Sequence, residues 1–297
     1  MSIYLFPSFR YSAIWANDHI TGLIFFLLST LFYFKWKKIE PHSFNKHLIF
    51  STFFLALAVY TRQYYALIFL YFLLIFYEQL KIKNFLKISI IILIFSLPGF
   101  WLIYNFPSLL KTTYTSRFHN TLLINFSILS FYLLPFFATY LSNKEKLISN
   151  KKKYTLCFLT ALILIVSLVW IGFDYLIFNK AGGGFFLKIS YIFFNNPYFF
   201  YLMSLFGGFF IIYLSTEDKK NTFMFLLLIF GFSGFVIYQK YFEPMFIFIL
   251  LLLINSNVID SFFKKQKNLI VYFSYFFLYF VSAIVNDYFK ITSNIQY

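Results

Sequence analysis

The sequence predicts an all-α fold, a polytopic integral membrane helical bundle, and three observations carry that prediction. Of 297 residues, 61% are hydrophobic and only 12% charged. A soluble domain of this length carries about twice that charge density to cover its surface. The mean hydropathy is +0.76, and the apolar residues gather in runs of membrane length with lysines clustered between them.

A spanning helix needs about 20 apolar residues. Runs of that kind lie at 20–34, 48–77, 88–106, 122–141, 154–173, 198–214, 222–238, 244–254 and 269–285. The run 48–77 is too long for one crossing, since 30 residues make a helix of about 45 Å against a hydrocarbon core of about 30 Å. Folding it as a hairpin of two short helices around Thr61, Arg62 and Gln63 puts the lysine clusters at 35–46, 81–87, 144–153, 219–220 and 264–267 on one side. That side then holds seventeen of the 25 basic residues and the other side eight. A single crossing splits them ten against fourteen and strands Arg62 in mid-membrane, so the positive-inside rule selects the hairpin. The expectation is about ten membrane segments, Lys-rich loops in the cytoplasm, and both chain ends outside.

The net charge of +15 therefore orients the chain in a lipid bilayer and implies no nucleic acid. Cys157 stands inside an apolar run, forms no internal disulfide as the single cysteine, and reads as a small packed hydrophobe. The Phe and Tyr excess accompanies Ile, Lys and Asn, the residues of AT-rich codons, and carries no functional weight. No fixed-period repeat, linker or soluble appendage divides the chain. It reads as one transmembrane domain over 1–297: a loop at 1–19, membrane segments over 20–285 and an extracytoplasmic tail at 286–297. Residues 1–17 lack a signal-peptide pattern, and Pro7 and Arg10 are expected to follow the end of an earlier helix. The longest extracytoplasmic stretches are 107–121, which holds Lys111 and Arg117, and 174–197, where Gly182, Gly183 and Gly184 make a flexible turn without the context of a phosphate loop.

Three segments offer chemistry. Arg62, in Tyr60-Thr61-Arg62-Gln63-Tyr64-Tyr65, tops a hairpin whose arms of about 20 Å stop about 10 Å short of the far surface. An arginine at that depth costs about 2.5–3.5 kcal/mol and calls for an anionic partner. A phosphate suits the guanidinium, with Gln63 and Tyr64 as neutral contacts; alternatively Arg62 snorkels or pairs with a carboxylate of another helix. Tyr238-Gln239-Lys240-Tyr241-Phe242-Glu243-Pro244 lies on the same side, where Lys240 supplies a second cation and Tyr241 a ring and hydroxyl for a sugar or isoprenoid edge. Glu243 and Pro244 equally describe an ordinary helix start. The third segment runs from Arg10 through Ser12, Asn17 and Asp18 to His19. Asp18 is its only acid, able to orient a sugar or act as a base, and equally a helix N-cap. The four histidines have no ligand spacing, so no metal site and no cofactor are expected.

These three segments, in this order, resemble the membrane-integral GT-C glycosyltransferases that use polyprenyl-phosphate-linked sugars. Pro7, Arg10, Ser12 and Asp18 ahead of an apolar helix are similar to one loop of that family. Ala-Leu-Ala-Val-Tyr-Thr-Arg-Gln at 56–63 resembles its basic short-helix hairpin, especially that of dolichyl-phosphate-glucose-dependent α-1,2-glucosyltransferases. Lys240-Tyr241 followed by Pro244 looks like a late basic-Tyr-x-x-Pro motif, with Lys where Arg is commoner. The resemblance spans residue 1 to about 253 and extends to protein mannosyltransferase-like enzymes. It implies transfer of a sugar from a polyprenyl-phosphate donor to a lipid-linked or cell-envelope glycan on the outer face of a bacterial cell (inner) membrane. Phosphate binding falls to Arg62 and Lys240, and further substrate contacts to Gln63, Tyr64, Tyr241, Glu243, Arg10 and Asp18. In this family an acid in the first outer loop activates the acceptor, and the resemblance puts that loop and two helices upstream of residue 1. The catalytic base is thus unassigned. The alternative is a flippase, polymerase or transporter subunit holding an anionic lipid-linked glycan at Arg62; a non-catalytic scaffold would make Arg62 an internal salt bridge.

Overall fold

A computed structural model of the chain describes residues 5–7, 18–106, 118–141, 150–174, 182–232 and 237–295, with side chains of the last helix to 285. All regular structure among these residues is helical. In chain order the helices are α1 (Asp18–Ile39), α2 (Lys46–Thr61), α3 (Ala66–Gln79), α4 (Ile82–Asn105), α5 (Phe118–Leu141), α6 (Lys151–Trp170), α7 (Gly184–Phe194), α8 (Tyr198–Ser215), α9 (Lys219–Gly231), α10 (Met245–Leu252), α11 (Asn257–Phe263) and α12 (Gln266–Ile295). Short 3-10 turns stand at Gln63–Tyr65 and Gln239–Tyr241.

Among the described residues six helices are long and apolar enough to cross a membrane: α1, α4, α5, α6, α8 and the Gln266–Val285 part of α12. The α10–α11 pair, bent by 95°, makes a seventh if it counts as one span. This is the architecture of a multi-pass membrane protein, with fewer full-length crossings than the ten segments expected. Length is the reason. Helices α2, α3 and α9 have 16, 14 and 13 residues, or about 24, 21 and 20 Å, short of a core of about 30 Å.

The chain forms two compact units, a larger one of Met1–Ile14, Ser116–Phe225 and Val236–Tyr297, and a smaller one of Trp15–Thr115 with Leu226–Phe235. In the smaller unit α1 and α2 lie antiparallel. Asn45 caps α2, its side chain accepting from the amides of His47 and Leu48 at 3.0 and 3.2 Å. The Ser29 hydroxyl donates to the Ser51 carbonyl at 2.8 Å, and Phe32 stacks on Phe54 with centroids 5.5 Å apart. Gly22 lets the two helices close at their other end, because a Cβ there would stand 2.7 Å from Thr61 Oγ1 and 3.0 Å from the Tyr65 ring. The ring pairs Phe26–Tyr65, Tyr33–Phe72 and Trp36–Phe76 then follow down α1 and α3 together. So α3 runs parallel to α1 and back along α2, and its last residue, Gln79, meets the His42 ring through its carbonyl at 2.7 Å. The run 48–77 is thus a hairpin with both outer ends at the Lys-rich end of the unit. Helix α4 rises beside it, with Phe53 against Phe95 and the Tyr60 hydroxyl donating to the Phe95 carbonyl. It continues ten residues past Phe95 to exposed Trp101 and Tyr104, the aromatic ending common where a helix leaves hydrocarbon.

In the larger unit α5 is the axis, buried along most of its length. Helix α8 lies parallel to it, tied by Ser204 Oγ donating to the Leu123 carbonyl at 2.9 Å and by Phe137 stacked on Phe210 at 4.1 Å. Helix α6 returns along α8 through Tyr154–Tyr213 and Phe158–Phe209. Helix α12 runs antiparallel to α5, with Tyr272 beside Phe136 and Tyr279 beside Phe131. Interlocked rings of this kind contribute about 0.5–1.5 kcal/mol per pair beyond area burial, which matters where lipid leaves packing as the main force between helices. The aromatic excess is therefore spent on the packing.

Residues 174–197, read from sequence as an extracytoplasmic stretch, contain the whole of α7. Its first residue lies against the middle of α5, since a Cβ on Gly184 would fall 2.7 Å from Ile128. Gly182, Gly183 and Gly184 are buried. All three have positive φ, near 80°, which glycine adopts without the Cβ penalty. This turn is held in place, because the Gly183 amide donates to the Ile237 carbonyl at 2.8 Å. A second hairpin meets it. Asn221 Nδ2 donates to the Asn255 carbonyl at 2.7 Å and Asn221 Oδ1 accepts from the Asn255 amide at 3.1 Å, joining the start of α9 to the end of α10.

Candidate functional sites at two helix breaks

The first candidate site is the turn between α2 and α3. Helix α2 ends because Arg62 is extended (φ −148°, ψ 117°), although its amide still donates to the Ala58 carbonyl at 2.8 Å. The Tyr65 amide donates to the Arg62 carbonyl at 3.1 Å and closes the 3-10 turn that starts α3. The guanidinium Nη2 lies 2.5 Å from Asp18 Oδ1 at the start of α1. Neither partner is sealed off, the side chains being 29% and 51% exposed. Tyr64 is half-buried, with its hydroxyl 3.3 Å from His19 Nδ1. Gln63 is exposed, and Tyr65 is buried against Phe26. The turn thus brings together Arg62, Gln63, Tyr64 and Asp18 from the expected set and adds His19. Asp18 serves as a counter-ion here, and Arg62 has the carboxylate of another helix that the alternative reading named. Nothing in the sequence singles out His19, which neighbours Asp18 but lies 45 residues from Tyr64. Arg10, with Ser12, Lys111 and Arg117, lies outside the described residues.

The second candidate site is the break between α9 and α10. Lys240 sits in the Gln239–Tyr241 turn with its side chain exposed. Its Nζ is 4.8 Å from the Tyr238 ring centroid and 6.0 Å from that of Tyr241. No ion pair to Lys240 occurs among the described residues, where Arg62–Asp18 is the salt bridge found. Glu243, expected as a substrate contact, is only 3% exposed. Its Oε1 accepts from the Tyr132 hydroxyl of α5 at 2.9 Å, the Tyr279 hydroxyl of α12 at 2.8 Å and the Gln239 side-chain amide at 3.4 Å. Gln239 Oε1 in turn accepts from the Phe185 amide at the start of α7 at 2.7 Å. The helix-start reading holds only for Pro244, which directly precedes α10 after a cis peptide bond. Tyr132, Tyr279 and Gln239 were not legible as a set, because two of them are among 25 tyrosines spread through apolar runs.

Chemically, the first turn presents a planar cation that forms paired hydrogen bonds to phosphate or carboxylate, and the second a point charge framed by two rings. Among the described residues no group of three or more His, Cys, Asp or Glu could hold a metal ion. Comparison of the chain with protein-family models, curated proteins and solved structures finds no match.

Proposed function

We propose that the chain is a membrane glycosyltransferase of GT-C type, or a part of one, whose Arg62 turn binds the phosphate of a polyprenyl-phosphate sugar donor. The observation that carries this reading is Arg62, a guanidinium at the turn of a half-length hairpin, still 29% exposed beside the Asp18 carboxylate. Counting the half-length helices as membrane-embedded segments gives about ten, and the positive-inside rule supports a reading with the lysine-rich ends in the cytoplasm of a bacterium and the Arg62 turn in the extracytoplasmic half of its inner membrane. The acceptor hydroxyl would attack the anomeric carbon, its proton passing to a general base not assigned to any residue here, and the C–O electron pair would leave with the phosphate. Arg62 would stabilise that leaving charge. Gln63 and Tyr64 then contact the donor, and Asp18 is the group that the phosphate displaces from Arg62.

The test is binding of undecaprenyl phosphate to the full chain in nanodiscs of neutral lipid. Saturable binding that weakens in Arg62→Ala supports the proposal. Wild-type affinity in that variant sinks it. A transporter or flippase of an anionic lipid-linked glycan is the second reading, favoured by one observation. Two helix breaks carry a basic residue, at Arg62 and at Lys240, and discontinuous helices mark many transporters. Movement of labelled lipid-linked glycan across proteoliposomes without any sugar transfer selects it.

A further inference from the structure

We propose that Glu243, Tyr132 and Tyr279 are positioning residues that hold Lys240 in water at a depth where the neighbouring helices face lipid. Depth comes from the helices that supply the donors. Tyr132 lies fourteen residues from Phe118 and nine from Leu141, about 21 and 14 Å along α5, and Tyr279 lies thirteen residues, about 20 Å, from the Gln266 start of α12. Both hydroxyls converge on one carboxylate oxygen inside their spans, Tyr279 also lying six residues, about 9 Å, from Val285. Beside Tyr279, α12 exposes Phe277, Leu278 and Val281, an apolar face suited to lipid. Lys240 is exposed three residues from that carboxylate.

An ammonium in hydrocarbon costs about 2.5–3.5 kcal/mol or more, and irregular backbone at such depth persists only against protein or a wet cavity. The turn is also fixed. Gln239 is bonded to Phe185 and Glu243, Ile237 to Gly183, and Phe242 and Pro244 are buried, so Lys240 is not carried outward on a loose loop. With one oxygen of Glu243 taken by three neutral donors, the carboxylate anchors the turn and leaves the lysine charge for water or an anion. This inference is independent of which ligand binds.

The test needs no substrate. Lys240→Cys is placed in the full chain with Cys157→Ser and held in nanodiscs. The probe is a charged, lipid-insoluble methanethiosulfonate, with Lys38→Cys as the exposed reference and N-ethylmaleimide as the lipid-soluble one. Lys240→Cys is expected to react with the charged probe within about tenfold of the reference rate, as a hydrated thiol does. Reaction with N-ethylmaleimide alone overturns water access. Tyr132→Phe with Tyr279→Phe should change the charged-probe rate about tenfold through two lost hydrogen bonds, whereas Glu243→Gln, which keeps an acceptor for both hydroxyls, stays within about twofold. An unchanged rate in the tyrosine pair, or a tenfold change in Glu243→Gln, overturns the positioning role. Where the pair does not fold, Tyr279→Phe alone decides, with about a threefold change expected for one bond.

Discussion

The two helix breaks carry the same kind of cargo, a basic residue at the turn of short helices, and secure it by opposite means. At Arg62 the cation is neutralised locally by Asp18, and the turn is set by packing, with Gly22 of α1 admitting Thr61 and Tyr65. At Lys240 the nearby carboxylate is turned inward to two tyrosines and a glutamine, and the cation is left to its rings. A charge can be kept in a bundle by compensation or by anchoring the backbone beneath it. The first makes the cation conditional on a competitor, and the second makes it constant.

The largest effect expected is on anion binding. Arg62→Ala should weaken undecaprenyl phosphate binding about 10- to 100-fold, the range for hydrogen bonds to a charged group, read as Kd in nanodiscs. Equal losses from Arg62→Lys would show that charge alone is insufficient at this turn. Next comes the anchored turn. Glu243→Ala leaves two tyrosine hydroxyls without their acceptor and should lower unfolding stability by about 1–3 kcal/mol, measured by denaturant titration in detergent. Gly22→Ala should cost about 1–3 kcal/mol by overpacking against Thr61 and Tyr65, and a neutral result would mean that packing does not set the Arg62 turn. The smallest effect belongs to the ion pair. With both partners partly exposed, Asp18→Asn should change stability by less than about 1 kcal/mol. Anion affinity should rise a few-fold, because the competitor is gone; weaker binding would make Asp18 a ligand contact.

The Arg62 hairpin was legible because its run is too long for one span and holds a charge in the middle, so length and sidedness agree. The Lys240 turn was legible as well, as the polar stretch between the runs 222–238 and 244–254; what those runs did not show is that α9 has only 13 residues and that α10 bends into α11. The burial of Gly182 to Gly184 was not legible either. Three consecutive glycines describe a surface loop equally well, and only the bonds of Gly183 to Ile237 and of Phe185 to Gln239 draw them inside. Side-chain networks were the least visible. Glu243 looked like the acidic residue of a helix start, and its partners lie 111 and 36 residues away.

The α2–α3 hairpin also bears on how the chain is threaded during synthesis. Lys46 and Gln79 stand at the same end of their unit, so the pair adds no net crossing, and the parity of everything after Leu80 is the same with it or without it. Within its own unit the segment that carries Arg62 therefore returns the chain to the end from which it left, so that α4 starts beside the end of α1, where Asn84 Nδ2 donates to the His42 carbonyl at 3.3 Å.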